Sequence, residues 1–212
     1  MYCRKTILVA SLSVLFSLAP SASAKAHPRL DFQSTPTLEV FVYGFPGLSP
    51  SILREAEAEA DFILRPVPIR LDWINCISRP LTPSCFSPQL PADLTVRLLP
   101  KALPQTSASA LGIADFSDDA AAAFLFYDRI VALRTYERFL SPMLGRVLAH
   151  EVAHLLLPSE GHSSYGLMRA WWSTDDLTVT STACLALSAR SVQLMYGEAL
   201  RRVRIKDRAM GR

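Results

Sequence analysis

His150 and His154 lie one helical turn apart in the run His150-Glu151-Val152-Ala153-His154. On a helix, residues i and i+4 stand one above the other on the same face. The two imidazoles can therefore grip one zinc ion while Glu151 stands beside it as a general base. Three of the chain's four histidines fall between positions 150 and 162, and the third of these, His162, follows Pro158 and Gly161. Pro158 stops the helix, and Gly161 permits the backbone reversal that brings His162 back to the metal. Three protein ligands leave a fourth zinc position for water, whose pKa the metal lowers. Glu151 then takes the proton as the water attacks a polarised carbonyl, and passes it to the leaving amine. The spacing predicts one Zn2+ per chain and a hydrolytic site.

The elements that must position these residues read as follows. Leu38–Tyr43 alternates in β-forming residues and is a first strand, closed by Gly44 and Pro46. Ser49-Pro50 opens a helix whose Ile52, Ala56, Ala60 and Leu64 share a face and which ends before Pro66. Strands are expected at 67–73, 94–99 and 111–116, the last with Gly112 for the close approach of another backbone. Loops are expected at 78–91 and 101–110. The apolar runs 122–127 and 130–133 read as one bent strand or a hairpin. Ser141-Pro142 opens the helix that carries the histidines and stops before Pro158. Asp175-Asp176 marks the start of a final helix running to about Arg204, with Cys184 a small buried residue on it. A β-rich first half with one helix, then two helices around a metal motif, predicts a single α+β domain over 37–212.

Residues 1–24 stand apart from that domain. Arg4 and Lys5 precede an apolar run, and Ala22-Ser23-Ala24 has the form of a signal-peptidase site, so 1–24 is expected to be a leader for export. Residues 25–36 read as an extended arm. Removing the leader takes the formal charge from +3 to +1. A near-neutral chain without a Lys/Arg stripe interleaved with aromatics excludes a nucleic-acid partner, and the cluster Arg201, Arg202, Arg204 and Lys206 reads as a solvated helix end. Export permits a disulfide, and Cys76 with Cys85 would pin the proline-rich loop between them. The expected protein is periplasmic or extracellular, keeps no membrane anchor once the leader is removed, is a monomer, and meets a peptide or protein substrate.

The order HExxH, turn, third histidine and then Met168 resembles the metzincin clan of zinc endopeptidases. The resemblance implies a zincin fold: a small mixed β-sheet with a backing helix, an active-site helix and a C-terminal helix. It also implies that Ser164–Met168 forms a Met-turn, with Met168 beneath the histidines. Substrate would lie extended against the edge strand at Gly112, Ile113 and Ala114, with Tyr165, Gly166 and Leu167 lining the wall of the pocket. The chain departs from the clan's HExxHxxGxxH pattern. Leu157 holds the glycine position, Glu160 holds that of the third ligand, and His162 comes two residues late. Glu160 therefore stays open as an alternative third ligand. A gluzincin-type site would instead use Glu198, and an Asp-zincin-type site Asp175 or Asp176. A further reading keeps zinc in a secreted domain without catalysis, against which the intact Glu151 argues. Trp171-Trp172 reads as a core anchor.

Overall fold

The computed structural model describes residues 35–77, 83–86, 90, 92–117, 120–134, 136–158, 160–173, 176–177 and 183–211. The expected leader (1–24) and most of the expected arm (25–36) lie outside these residues, as does Asp175. The strands are β1 (Thr37–Tyr43), β2 (Arg70–Asn75), β3 (Leu94–Leu99), β4 (Gly112–Ser117) and β5 (Ala120–Phe126). They form one sheet in the order β2-β1-β3-β5-β4, parallel throughout except for β4, which runs antiparallel to β5 and lies at the edge. The helices are α1 (Pro50–Leu64), α2 (Tyr127–Leu133), α3 (Leu140–Leu155) and α4 (Ala189–Ala209).

Strand periodicity and helix periodicity meet in one core. Leu38, Val40 and Val42 of β1, Leu94, Val96 and Leu98 of β3, and Ala123 and Leu125 of β5 are all buried, as alternate residues on one face of a strand should be. Against them pack Leu53, Ala56, Ala60 and Ile63 of α1, and Leu144, Val147, Leu148 and Val152 of α3. The helices α1 and α3 cross closely at Gly145, where a β-carbon would stand 2.6 Å from the Ala56 carbonyl oxygen and from Glu59 Cβ. Beside that crossing the buried Arg146 of α3 donates to Glu59 on α1 and to the Asp176 carbonyl oxygen. This crossing fixes the depth at which α3, and so the histidines, sit beneath the sheet edge.

Several expectations are corrected. Residues 130–133 belong to α2, not to a strand: Ile130 and Val131 are β-branched, but Ile130 is buried by helix packing, which outweighs intrinsic preference. The last helix starts at Ala189, capped by Ser188, whose side chain accepts from the Ser191 N–H, and it runs on to Ala209. Asp176 does not begin it, and Cys184 is half-buried in a short 3-10 turn, Ala183–Leu185. The second strand starts at Arg70 rather than 67, and α3 starts one residue before Ser141. The basic cluster on α4 is only partly solvated. Arg202 is buried and donates to Glu198 and to the carbonyls of Leu155, Ala92 and Asp93, and Lys206 pairs with Asp93 and Glu39. A cation there ties α4 to the C-terminal end of α3, where carbonyls lack helical partners.

Candidate metal centre

The helix α3 carries His150, Glu151 and His154 in its last two turns and ends at Leu155, with Leu156 as C-cap. The chain then turns, and His162 returns so that its Nε2 lies 3.3 Å from His154 Nε2. His154 Nε2 lies 3.1 Å from His150 Nε2. Two nitrogens bound at about 2.0–2.1 Å to one tetrahedral zinc would be about 3.3 Å apart. Both spacings fit that requirement. Among the described residues, His150, His154 and His162 are the one group of three side chains able to hold a metal ion together.

A turn behind α3 sets the protonation of the first histidine. His150 Nδ1 lies 2.7 Å from the Leu167 carbonyl oxygen, which can only accept, so the proton sits on Nδ1 and the lone pair on Nε2. A hydrogen bond of this kind orients a ligating imidazole and raises its basicity. The turn is itself tied down: Ser163 N–H donates to Met168 O, Arg169 N–H to Gly166 O, and Leu167 N–H to Ala186 O. Gly166 has φ +73°, and a β-carbon there would fall 2.0 Å from the Ala186 carbonyl oxygen, so only glycine fits. Burial lowers His150 to about 4, with His162 adding to the effect and the Leu167 carbonyl opposing it. Burial, then His150 and His162, lowers His154 to about 3. Both rings are therefore neutral near pH 7, the state in which they bind metal.

Glu151 is 4% exposed, and its Oε2 has no hydrogen-bond partner. Burial pushes its carboxyl up to about 8. An unpartnered buried carboxyl oxygen costs free energy unless a water, metal or substrate group completes its surroundings. The histidines and this orphaned oxygen together fit a zinc ion. Gly112 of β4 makes room for the carboxyl: a β-carbon there would meet Glu151 Oε1 at 2.7 Å. The expectation of a close approach at Gly112 holds, but a side chain approaches rather than a backbone.

These residues face a cleft of about 780 Å³. Gly112, Ile113 and Ala114 line it, with His150, Glu151, His154 and His162. Tyr165, Gly166 and Leu167 do not. Tyr165 lies in a second, smaller pocket on the other side of His162, and Leu167 is fully buried. Met168 is buried in the core and reaches that second pocket. The wall opposite β4 is made instead by Arg169–Trp172. Trp171 is 71% exposed and so does not anchor in the core, whereas the half-buried Trp172 packs against the core as expected and sets its ring edge-on to His150 at 5.2 Å. The sequence alone did not point to Val147 of α3, the Ser107–Ala110 loop, or Arg129, Ala132 and Leu133 of α2. The last three share a helical i, i+3, i+4 face that is visible once 127–133 is read as a helix.

The alternative ligands among the described residues are engaged elsewhere. Glu160 pairs with Arg190, Glu198 with Arg201 and Arg202, and Asp176 with Arg169. The disulfide between Cys76 and Cys85 forms, with the α-carbons 5.6 Å apart. No helix among the described residues is long and apolar enough to cross a membrane.

The mixed sheet, with helices around a three-histidine centre, has the general form of a zincin. No family model matches the chain, and no curated protein matches it. Its fold is shared with a solved zinc-dependent peptidase from Methanocorpusculum labreanum strain Z, at TM-score 0.54 and 12% identity over 74% of this chain and 99% of that one. An archaemetzincin from Methanopyrus kandleri gives TM-score 0.48 at 13% identity, over 79% of this chain and 96% of that one.

Proposed function

We propose that this chain is an exported zinc-dependent endopeptidase. The observation that carries the reading is the convergence of three Nε2 atoms beside a buried, unpartnered Glu151 carboxyl, on the floor of a cleft bounded by an edge strand. His150, His154 and His162 would hold the ion, and zinc so held acts as a Lewis acid that polarises a carbonyl and lowers the pKa of water. The residues of the chain do the rest. With the charge of the bound ion beside it favouring the ionised carboxylate, Glu151 would take a proton from the attacking water on its free Oε2 and return it to the nitrogen of the leaving amine. The water oxygen joins the carbonyl carbon, the C–N bond breaks, and a carboxylic acid and an amine result.

The edge of β4 supports an extended peptide as substrate. A strand at a sheet edge offers unpaired N–H and C=O groups to a second chain, and Gly112–Ala114 does so beside Glu151. Trp171 and Trp172 then form the opposite wall. The turn ending at Met168 takes the part of a metzincin Met-turn by holding His150 through the Leu167 carbonyl. The Cys76–Cys85 disulfide supports an oxidising compartment, as export through residues 1–24 would provide.

The test is hydrolysis of a mixed peptide library by the zinc-loaded protein, wild type beside Glu151→Gln. The variant should keep its zinc and lose roughly 10²–10⁴-fold in kcat. Equal cleavage by both proteins would remove Glu151 from the chemistry. Cleavage by neither, with zinc bound, would favour the binding-domain reading.

A further inference from the structure

Arg129 is the one cation of the cleft left without an anionic partner among the described residues. Two arginines line the cleft, and the other, Arg169, is paired with Asp176 at 2.9 Å. Among the described residues the only acidic one on the lining is Glu151, whose place is at the metal centre. Arg129 stands on the cleft-facing side of α2, with Ala132 and Leu133 following it at i+3 and i+4. Its guanidinium is held in place from two directions. Nη1 donates to the carbonyl oxygens of Ser107 and Ala110, the latter at 2.7 Å. Cζ lies 5.1 Å from the centre of the ring of Phe126, which is fully buried.

Carbonyls of neutral peptide groups orient a guanidinium but do not neutralise it. A planar fork fixed at one nitrogen keeps its remaining N–H groups aligned, so little side-chain entropy is lost when an anion docks. A carboxylate is the group whose two oxygens match that fork. The hydroxyls of Ser107 and Ser109, 3.0 Å apart on the adjoining loop, add neutral donors beside it. Val147, on α3 one turn before His150 and Glu151, lines the same cleft, so its wall is continuous from the metal centre towards α2.

We infer that Arg129 is the specificity-determining residue of the cleft and selects a peptide carboxylate on one side of the bond that is cut. This rests on the peptidase reading above. The carboxylate has two possible sources, an Asp or Glu side chain within the peptide or the peptide's own C-terminus. A C-terminal source would place the cut near the end of the substrate.

Both sources can be tested on the zinc-loaded protein with internally quenched octapeptides in an Ala/Leu background. One arm places Glu or Gln at each position in turn, with the C-terminus amidated. The other compares free acid with amide and has no acidic side chain. A charge-assisted bidentate contact predicts a preference for the carboxylate member on the order of tenfold or more in kcat/KM, in one arm. Arg129→Gln should bring that ratio to about one, and Arg129→Lys, a charge without the fork, to an intermediate value. A ratio compares two peptides on one protein sample, so partial misfolding of a variant cancels.

The same peptides are also measured for binding to zinc-loaded Glu151→Gln, with and without Arg129→Gln. A carboxylate preference in Kd that Arg129→Gln erases, with no turnover by wild type, would overturn the peptidase reading and leave the role of Arg129 standing. Ratios near one in both arms for wild type, or ratios unchanged by Arg129→Gln, would overturn this inference.

Discussion

A β-carbon at position 112 would stand 2.7 Å from Glu151 Oε1 and 2.9 Å from Glu151 Cδ, so the residue type on the edge strand sets where the base can stand. Glycine is needed here for space, since its φ is not among the positive ones. Gly112→Ala must push the carboxyl away from the histidines or bend β4. Displacing a catalytic group by about 1 Å costs roughly 100-fold in rate, and overpacking costs about 1–3 kcal/mol. A kcat/KM measurement on Gly112→Ala beside a thermal melt checks both. Wild-type activity in that variant would mean that Glu151 is not held by the strand. At this scale the sequence was informative, because the positions of His150, Glu151 and His154 on one helix face follow from a spacing of four residues and need no tertiary knowledge. His162 was legible through Pro158 and Gly161. The edge-strand wall at Gly112–Ala114 was legible too, but the wall opposite it was not.

Elements explain why. Which residues of the turn at 163–169 face the cleft depends on Ala186, some twenty residues later, whose carbonyl accepts from Leu167 N–H. No local pattern announces that contact, and so the wall was assigned to Tyr165–Leu167 when Arg169–Trp172 forms it. The helix α2 was hidden for a related reason, its β-branched residues reading as strand until buried against α3. Arg202 looked solvated because its partners, Leu155, Ala92 and Asp93, lie on distant elements. The turn at 163–169 carries a prediction of its own. Gly166→Ala faces both a φ of +73° and the Ala186 carbonyl 2.0 Å from its new β-carbon. The turn must shift, and with it the Leu167 carbonyl that orients His150. Zinc affinity, measured by competition with a chelator, should fall about 10–100-fold, as it does when an outer partner of a ligand is lost. Unchanged affinity would show that the Leu167 carbonyl does not set the geometry of His150.

The whole molecule carries a titrating group far from the metal in sequence. Glu57 of α1 is only 6% exposed. Burial pushes its carboxyl up to about 7, aided by Asp61 and opposed by the Asn75 amide and by Arg54. Its Oε1 has no hydrogen-bond partner. A folded-state pKa above the unfolded one means that the native protein binds the extra proton between about pH 4.5 and 7. The contribution of Glu57 to stability is therefore greatest at the acid end, declines as pH rises through 7, and is flat above that. Glu57→Gln should match wild type near pH 5 and exceed it at pH 8 by up to about 3 kcal/mol, read from urea unfolding at the two pH values. A variant less stable than wild type at pH 8 would show that the charged form is stabilised by the fold.

Zinc stoichiometry tests the central claim most directly. The chain is dialysed against trace zinc, and its metal content is measured for wild type, His162→Ala and Glu160→Ala. The three-histidine centre predicts one zinc per chain in wild type and in Glu160→Ala, whose carboxylate is paired with Arg190, and its loss in His162→Ala. Zinc retained in His162→Ala, or lost in Glu160→Ala, would contradict the ligand set on which the account of this protein stands.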